Sequence, residues 1–217
     1  MRRSDANPGA RGALRRAALG LVVLLAATGA RAAASDGHAL YAPCAACHGV
    51  HAEGSTSTGA PPLAGLDAAY VARQLNGFAS GWRGTAAGDS MGAAMRAMAV
   101  AIRDDAARTA LGRYVAGLPL RSGARGVQGN DNGRNYWNAI CSACHGANGK
   151  GNEALGAPRL TGMPVAYLQR QFAAFRSGTR GAAAGDRLGA QMRAVAAMLP
   201  DARTADDVIG YVAGLAP

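Results

Sequence analysis

The chain has 217 residues, room for one large domain or two small ones. It is rich in alanine and glycine, poor in aromatics (5%), and carries a formal net charge of +10. That excess does not describe a nucleic-acid binder, because the arginines are scattered and the few tryptophans and phenylalanines form no interleaved basic-aromatic stretch.

Residues 1–34 read as a secretory signal peptide. Arg2, Arg3, Arg11, Arg15 and Arg16 form a basic start, Ala17 to Ala30 an apolar stretch, and Ala30-Arg31-Ala32 and Ala32-Ala33-Ala34 offer small-residue cleavage frames near Ser35. The apolar run is short for a membrane span. Removing this segment leaves 17 basic and 12 acidic residues, so the mature chain is nearer +5. Most of the remaining excess falls after Arg125, as a solvated face or a docking patch for an acidic partner.

All four cysteines fall in one pentapeptide written twice, Cys44-Ala45-Ala46-Cys47-His48 and Cys141-Ser142-Ala143-Cys144-His145. C-x-x-C-H is the attachment signature of c-type haem. Each thiol adds across one porphyrin vinyl group, and the adjacent histidine ligates the iron. Zinc ligation, a dithiol redox pair and two disulfides compete for the same residues. Against zinc, the clusters lie 97 residues apart and each repeats the whole motif rather than half of one site. A porphyrin also explains a small aromatic-poor domain, since it would supply much of the core.

The offset of 97 extends beyond the motif. From Cys44–Leu118 against Cys141–Leu215, 36 of 75 pairs are identical without a gap. The chain therefore reads as a tandem duplication: a first domain at 35–118, a linker at 119–128 and a second domain at 129–217. Each copy begins with a short helix into the motif. There the register slips, with Gly37 seven residues before its cysteine and Gly133 eight, and Pro43 interrupts the first copy alone. A glycine-rich loop follows, Gly49 to Leu66 and Gly146 to Met163. A second helix carries Tyr70, Gln74 and Phe78, matched by Tyr167, Gln171 and Phe175, along one face. Pro164 suits its first turn in the second copy, and Gly81 and Gly178 stop it. The next stretch, through Gly92 and Gly189, reads as a loop. A last helix ends at Tyr114–Leu118 and Tyr211–Leu215. Thr204, three residues before Asp207, marks its start in the second copy, with the matching start eroded at Arg103-Asp104-Asp105. No alternating strand pattern appears, so the fold class is all-α.

An iron ligand should recur in both copies. Met95 and Met192 are the matched methionines, each 47 residues after its histidine. Met91, Met98, Met163 and Met198 face non-methionine counterparts and read as fillers, with Met98 or Met91 as competitors for the first iron. His38 and His51 have no counterparts and read as surface or structural residues.

These motifs, with A-P-x-L-x-G, Tyr…Arg-Gln…Phe…Ser-Gly…Arg-Gly and G-x-x-M-R in each copy, resemble the dihaem cytochrome c4 family over nearly all of 35–217. The resemblance implies two class I cytochrome c domains related by pseudo-twofold symmetry, with haem edges approaching at their interface. It implies two covalent haem c groups, held by Cys44, Cys47, Cys141 and Cys144. Their irons would be ligated by His48 with Met95 and by His145 with Met192. Pro61 and Pro158 would offer carbonyls to the histidines. It further implies a periplasmic electron carrier, loosely membrane-associated, taking electrons from a quinol-oxidising complex or dehydrogenase and passing them to a terminal oxidase. The turn Val50-His51-Ala52-Glu53 departs from the family's acidic-glycine pattern. Two alternatives stand beside the carrier. One is the cytochrome subunit of a multi-chain oxidoreductase, such as a sulfide-oxidising flavocytochrome. The other is a catalytic dihaem protein, thiosulfate-oxidising or peroxidase-like, which would need a labile or non-methionine ligand on one iron.

Overall fold

The computed structural model describes residues 36–120 and 129–217. The expected signal peptide, and residues 121–128 of the expected linker, lie outside them. Among the described residues there is no strand, only isolated bridges at Ser55–Ala60 and Asn152–Ala157, which are themselves 97 apart.

The first copy contains α1 (Gly37–Tyr41), α2 (Ala45–His48), α3 (Ala68–Ala79), α4 (Ser90–Ala101) and α5 (Asp105–Ala116). The second contains α6 (Asp131–Tyr136), α7 (Ser142–His145), α8 (Val165–Ser177), α9 (Arg187–Met198) and α10 (Ala202–Gly214). In the first, α3 packs on α4 and α5, and α1 crosses α5; in the second, α8 packs on α9 and α10, and α6 crosses α10. The crossings are close because a glycine sits at each. A methyl on Gly37 would stand 2.7 Å from the carbonyl oxygen of Ala110, and one on Gly133 would collide with that of Asp207, the matching residue.

Two expectations need correction. The stretch carrying Met95 and Met192 is a helix, α4 or α9, rather than a loop. Each starts on a matched aspartate: Asp89 accepts from the Gly92 N–H and Asp186 from the Gly189 N–H, both at 2.9 Å. The last helix begins the same way in both copies. Asp104 accepts from the Ala107 N–H at 2.8 Å and Asp201 from the Thr204 N–H at 2.7 Å. Thr204 is thus the capped residue and not the cap, and the first copy's start is intact. An aspartate N-cap contributes about 1 kcal/mol by satisfying an otherwise unpaired backbone donor. Pro164 stands one residue before α8, where Asp67 caps α3 in the first copy.

The register slip has a physical resolution. Tyr41 and Trp137 each lie four residues after the crossing glycine, and both are buried, at 2% and 1% exposed. Tyr41 Oη donates to the Gly49 carbonyl at 2.7 Å, and Trp137 Nε1 donates to the Ala147 carbonyl at 3.1 Å. They pack on the matched Tyr114 and Tyr211. From Tyr41 the first copy reaches Cys44 through a tight 3₁₀ turn at Ala42–Cys44, which accommodates Pro43. From Trp137 the second copy reaches Cys141 through a wide π turn at Trp137–Cys141. A 3₁₀ turn uses fewer residues per turn than an α-helix, and a π turn more. The two paths absorb the one-residue difference.

Candidate functional site

Each C-x-x-C-H motif closes on a short helix that buries its histidine. His48 is 6% exposed and His145 8%, while Cys47 and Cys144 face outward and Cys44 and Cys141 are half-buried. The Nδ1 atoms of His48 and His145 lie 2.9 Å from the carbonyl oxygens of Pro61 and Pro158. A carbonyl only accepts, so Nδ1 carries the proton and donates, and the lone pair is left on Nε2. Burial lowers the affinity of both imidazoles for a second proton, opposed by the same carbonyl bonds. Each ring is therefore fixed in one tautomer and held neutral, the state a metal ligand needs.

Cys44, Cys47 and His48 line a cavity of about 790 Å³. Its walls include Leu40, Val71, Leu75, Phe78, Leu111 and Val115, with Met91, Met95 and Met98 from α4. Met95 packs against the apolar core, whereas Met91 is 47% and Met98 39% exposed. The Met91 methyl covers the turn at Gly59, as Leu188 covers Gly156 in the second copy. Met91 therefore fills a gap that a leucine fills equally well. Met192 holds the position of Met95 on α9 and is half-buried.

The competing chemistries fit these surroundings poorly. Burial pushes the Cys44 thiol up and the Cys141 thiol up to about 11, the opposite of a reactive dithiol. Among the described residues, no three of His, Cys, Asp and Glu converge as zinc requires. A porphyrin fits: paired thiols stand beside a neutral, oriented imidazole, and an apolar hollow lies next to them.

The copies meet through reciprocal bonds. Arg73 Nη2 donates to the Gly156 carbonyl at 2.6 Å, and Arg170 Nη2 to the Gly59 carbonyl at 2.7 Å. Each partner is its counterpart's match at the 97-residue offset, the signature of a two-fold relation. Two contacts break the symmetry. Arg159 matches Pro62, so its bond across to the Ala64 carbonyl, at 2.9 Å, has no counterpart. Trp82, which matches Thr179, lies directly against Gly185, while the matching Gly88 has open space before it. Neither residue recurs at the offset, so the repeat gave no signal for them.

The sequence matches the profile of the cytochrome c family twice, over residues 34–119 and 131–216. The chain belongs to the cytochrome c family. As a cytochrome c of two tandem domains it is all-α and carries two covalently bound haem c groups, one for each domain. It is 30% identical over 210 residues to cytochrome c4 of Stutzerimonas stutzeri, covering 90% of this chain and 96% of that one. The reduced cytochrome c4 structure from Pseudomonas stutzeri superposes with a TM-score of 0.68 at 27% identity, covering 84% of this chain and 98% of the other. A thiosulfate dehydrogenase electron acceptor from Thiomonas intermedia (strain K12) is 35% identical over 173 residues, covering 75% of this chain and 74% of the relative. The resemblance read from the motifs is thereby borne out as the cytochrome c4 type of dihaem cytochrome.

Proposed function

We propose that this cytochrome is a periplasmic electron carrier whose two domains, 35–118 and 129–217, are joined by a linker at 119–128. Cys44 and Cys47 hold the first haem and Cys141 and Cys144 the second. His48 with Met95, and His145 with Met192, provide the axial ligands. The observation that carries the reading is the recurrence, in both copies, of a buried histidine bonded through Nδ1 to a proline carbonyl beside a cysteine pair. When bound, haem supplies an iron that gains and loses one electron. The chain's own contribution is to fix Nε2 toward the ring, to keep each imidazole neutral, and to enclose the site in apolar side chains. Burial and thioether ligation favour a high reduction potential. With both axial positions filled, no place is left for substrate. The donor is then a quinol-oxidising complex or a dehydrogenase, and the acceptor a terminal oxidase. The basic leader supports export, where c-type haem is attached. Peripheral contact with the membrane surface belongs to the same reading; no described helix is long and apolar enough to cross a membrane.

Absorbance of the mature holoprotein tests the ligand assignment. Met95→Ala and Met192→Ala should each remove half of the far-red band that reports methionine on ferric iron. No loss from Met95→Ala would transfer the first iron to Met98 or Met91.

The 35% identity to a thiosulfate dehydrogenase electron acceptor favours a second reading, in which the direct donor is a thiosulfate-oxidising dehydrogenase. This gives the enzyme-partner alternative a definite form. Mixing the oxidised holoprotein with such a dehydrogenase and thiosulfate should reduce both haems within its turnover time. Reduction by a quinol-oxidising complex alone would leave the respiratory carrier standing.

A further inference from the structure

The helix that carries each methionine is held alike at one end and differently at the other. At the N-terminal end the two copies agree. Asp89 and Asp186 cap α4 and α9 at an equal 2.9 Å. Gly84 and Gly181 press so closely on the carbonyls of Gly92 and Gly189 that a methyl on either would collide. At the C-terminal end the copies part. Arg108, on α5, donates through Nη2 at 2.8 Å to the carbonyl of Ile102, the residue that closes α4. Through Nη1 it pairs with Asp105 at 2.9 Å. The Arg108 side chain is 13% exposed and its Nε is buried without a partner, so these two bonds fix the guanidinium.

Neither member of that pair recurs at the 97-residue offset. Ala205 stands in the place of Arg108, and Ala202 in the place of Asp105. The second copy closes α9 with Leu199, which is fully buried, whereas the matching Ile102 is only half-buried. Arg176 reaches the next carbonyl, that of Pro200, from α8, but at 3.2 Å and in solvent. One helix end is therefore held by a shielded polar bond and the other by an apolar plug. An arginine at a helix C-terminus satisfies a carbonyl that has no N–H partner and opposes the negative end of the helix dipole. What Arg108 ties down belongs to the site, because Met95, Ala101, Ile102 and Asp104 line the same cavity as His48. Freeing the end of α4 loosens the wall of that cavity which bears Met95.

We propose that Arg108, oriented by Asp105, is a positioning residue of the first domain: it latches the end of α4 and so keeps Met95 on the first iron, a task that the buried Leu199 performs for Met192 in the second domain. This rests on the axial-ligand assignment above. Arg108 touches neither iron nor ring and acts through the helix. Its loss therefore frees the methionine of one iron and leaves the other iron as it was. The two domains keep equivalent ligands by unlike means, and the means in the first is a polar bond that a single substitution removes.

The test mixes the oxidised dihaem protein with imidazole and follows the loss of the far-red methionine band in a stopped-flow instrument. Met95→Ala and Met192→Ala first assign the band to the two irons; a full band in Met95→Ala defeats the ligand assignment rather than this proposal. Arg108→Ala should then speed displacement at the first iron by about tenfold, the weight of a shielded bond to a charged donor, and leave the second iron unchanged. Arg108→Lys keeps a charged donor without the fork and should recover much of the parent rate. Ala64→Thr, which crowds the first domain away from α4, should leave the rate as in the parent. An unaltered first-iron rate in Arg108→Ala, or an equal acceleration in Ala64→Thr, would overturn the proposal. If Arg108→Ala does not accumulate, the exposed Asp105→Ala decides, and a rate equal to the parent's overturns it.

Discussion

The two copies arrive at the same geometry by different backbone routes, and the difference shows what each site holds fixed. In the first, two residues separate the anchoring aromatic Tyr41 from Cys44; in the second, three separate Trp137 from Cys141. Both aromatics tie down the turn that follows the histidine, and both histidines reach a proline carbonyl at the same 2.9 Å. The fixed points are the aromatic anchor and the histidine. The turn between them is the free variable.

A second pair of positions tells the same story in volume. Gly149 adopts φ +68° and lies under Thr161 and Val212. Its match, Ala52, holds a left-handed φ of 58° and is fully buried. The first copy makes room for that extra methyl by placing Ala64 where the second has Thr161. The departure from glycine in Val50-His51-Ala52-Glu53 is therefore compensated by the residue it packs against.

The comparison can be broken most severely at the turns. Inserting one alanine between Ala42 and Pro43 asks the first copy for a wide turn, in which the proline has no N–H to give. Haem per chain should fall from two to one by pyridine haemochrome assay. Deleting Asn138 together with Ile140→Pro gives the second copy the first copy's spacing and proline, and should keep two haems. Next in size, Gly149→Ala combines a left-handed alanine with a methyl 2.9 Å from Thr161 Cγ2. It should cost about 3 kcal/mol in denaturant unfolding of the second domain, and adding Thr161→Ala should recover the crowding part. Ala64→Thr should cost the first domain about 1–3 kcal/mol by the same crowding. Smaller still, Asp89→Ala and Asp186→Ala should each remove about 1 kcal/mol, since both copies cap this helix alike. Unequal losses would show that the two helices differ in how much packing supports them.

The smallest effect is a pH dependence confined to one copy. Asp207, where the first copy has Ala110, accepts from Asn132 Nδ2 at 2.8 Å and Asn130 Nδ2 at 2.7 Å, and these amides hold its carboxyl below the usual aspartate range. A depressed folded value means the unfolded state binds the proton more readily. The stabilisation is present above the ordinary aspartate value and is lost as pH falls through the lower folded one. Acid melts of Asp207→Asn should show that dependence gone from the second domain and the first domain unchanged.

Much of this was legible because duplication supplies its own control. The all-α fold, the cysteines and histidines, Pro61 with Pro158, and Met95 with Met192 all stand out as matched positions. Helices α4 and α9 were missed because glycines at 92 and 189, together with alanine-rich composition, give only a weak apolar stripe. The matched Asp89 and Asp186 were the available signal. Thr204 drew attention as a cap because its spacing to Asp207 imitates a capping box, while the matched Asp104 and Asp201 were the better guide. Arg83 and Arg180, each bonded to a glutamine of the other domain, could be read only as a helix motif, since side chains that meet across a pseudo-axis lie 97 residues apart in sequence. Arg159 and Trp82 have no counterparts, so only the folded interface reveals what they touch.

Trp82 has a practical consequence. The chain has two tryptophans. Trp137 is sealed inside the second domain, 6.4 Å from the His145 ring. Trp82 belongs to the first domain but rests on Gly185 of the second. Its environment is therefore an optical gauge of the seam itself: hinging the domains apart hydrates the indole of Trp82 and shifts its spectrum, while Trp137 stays buried. The molecule carries its own reporter of docking, and partner binding that pries at the junction can be followed without attaching a label.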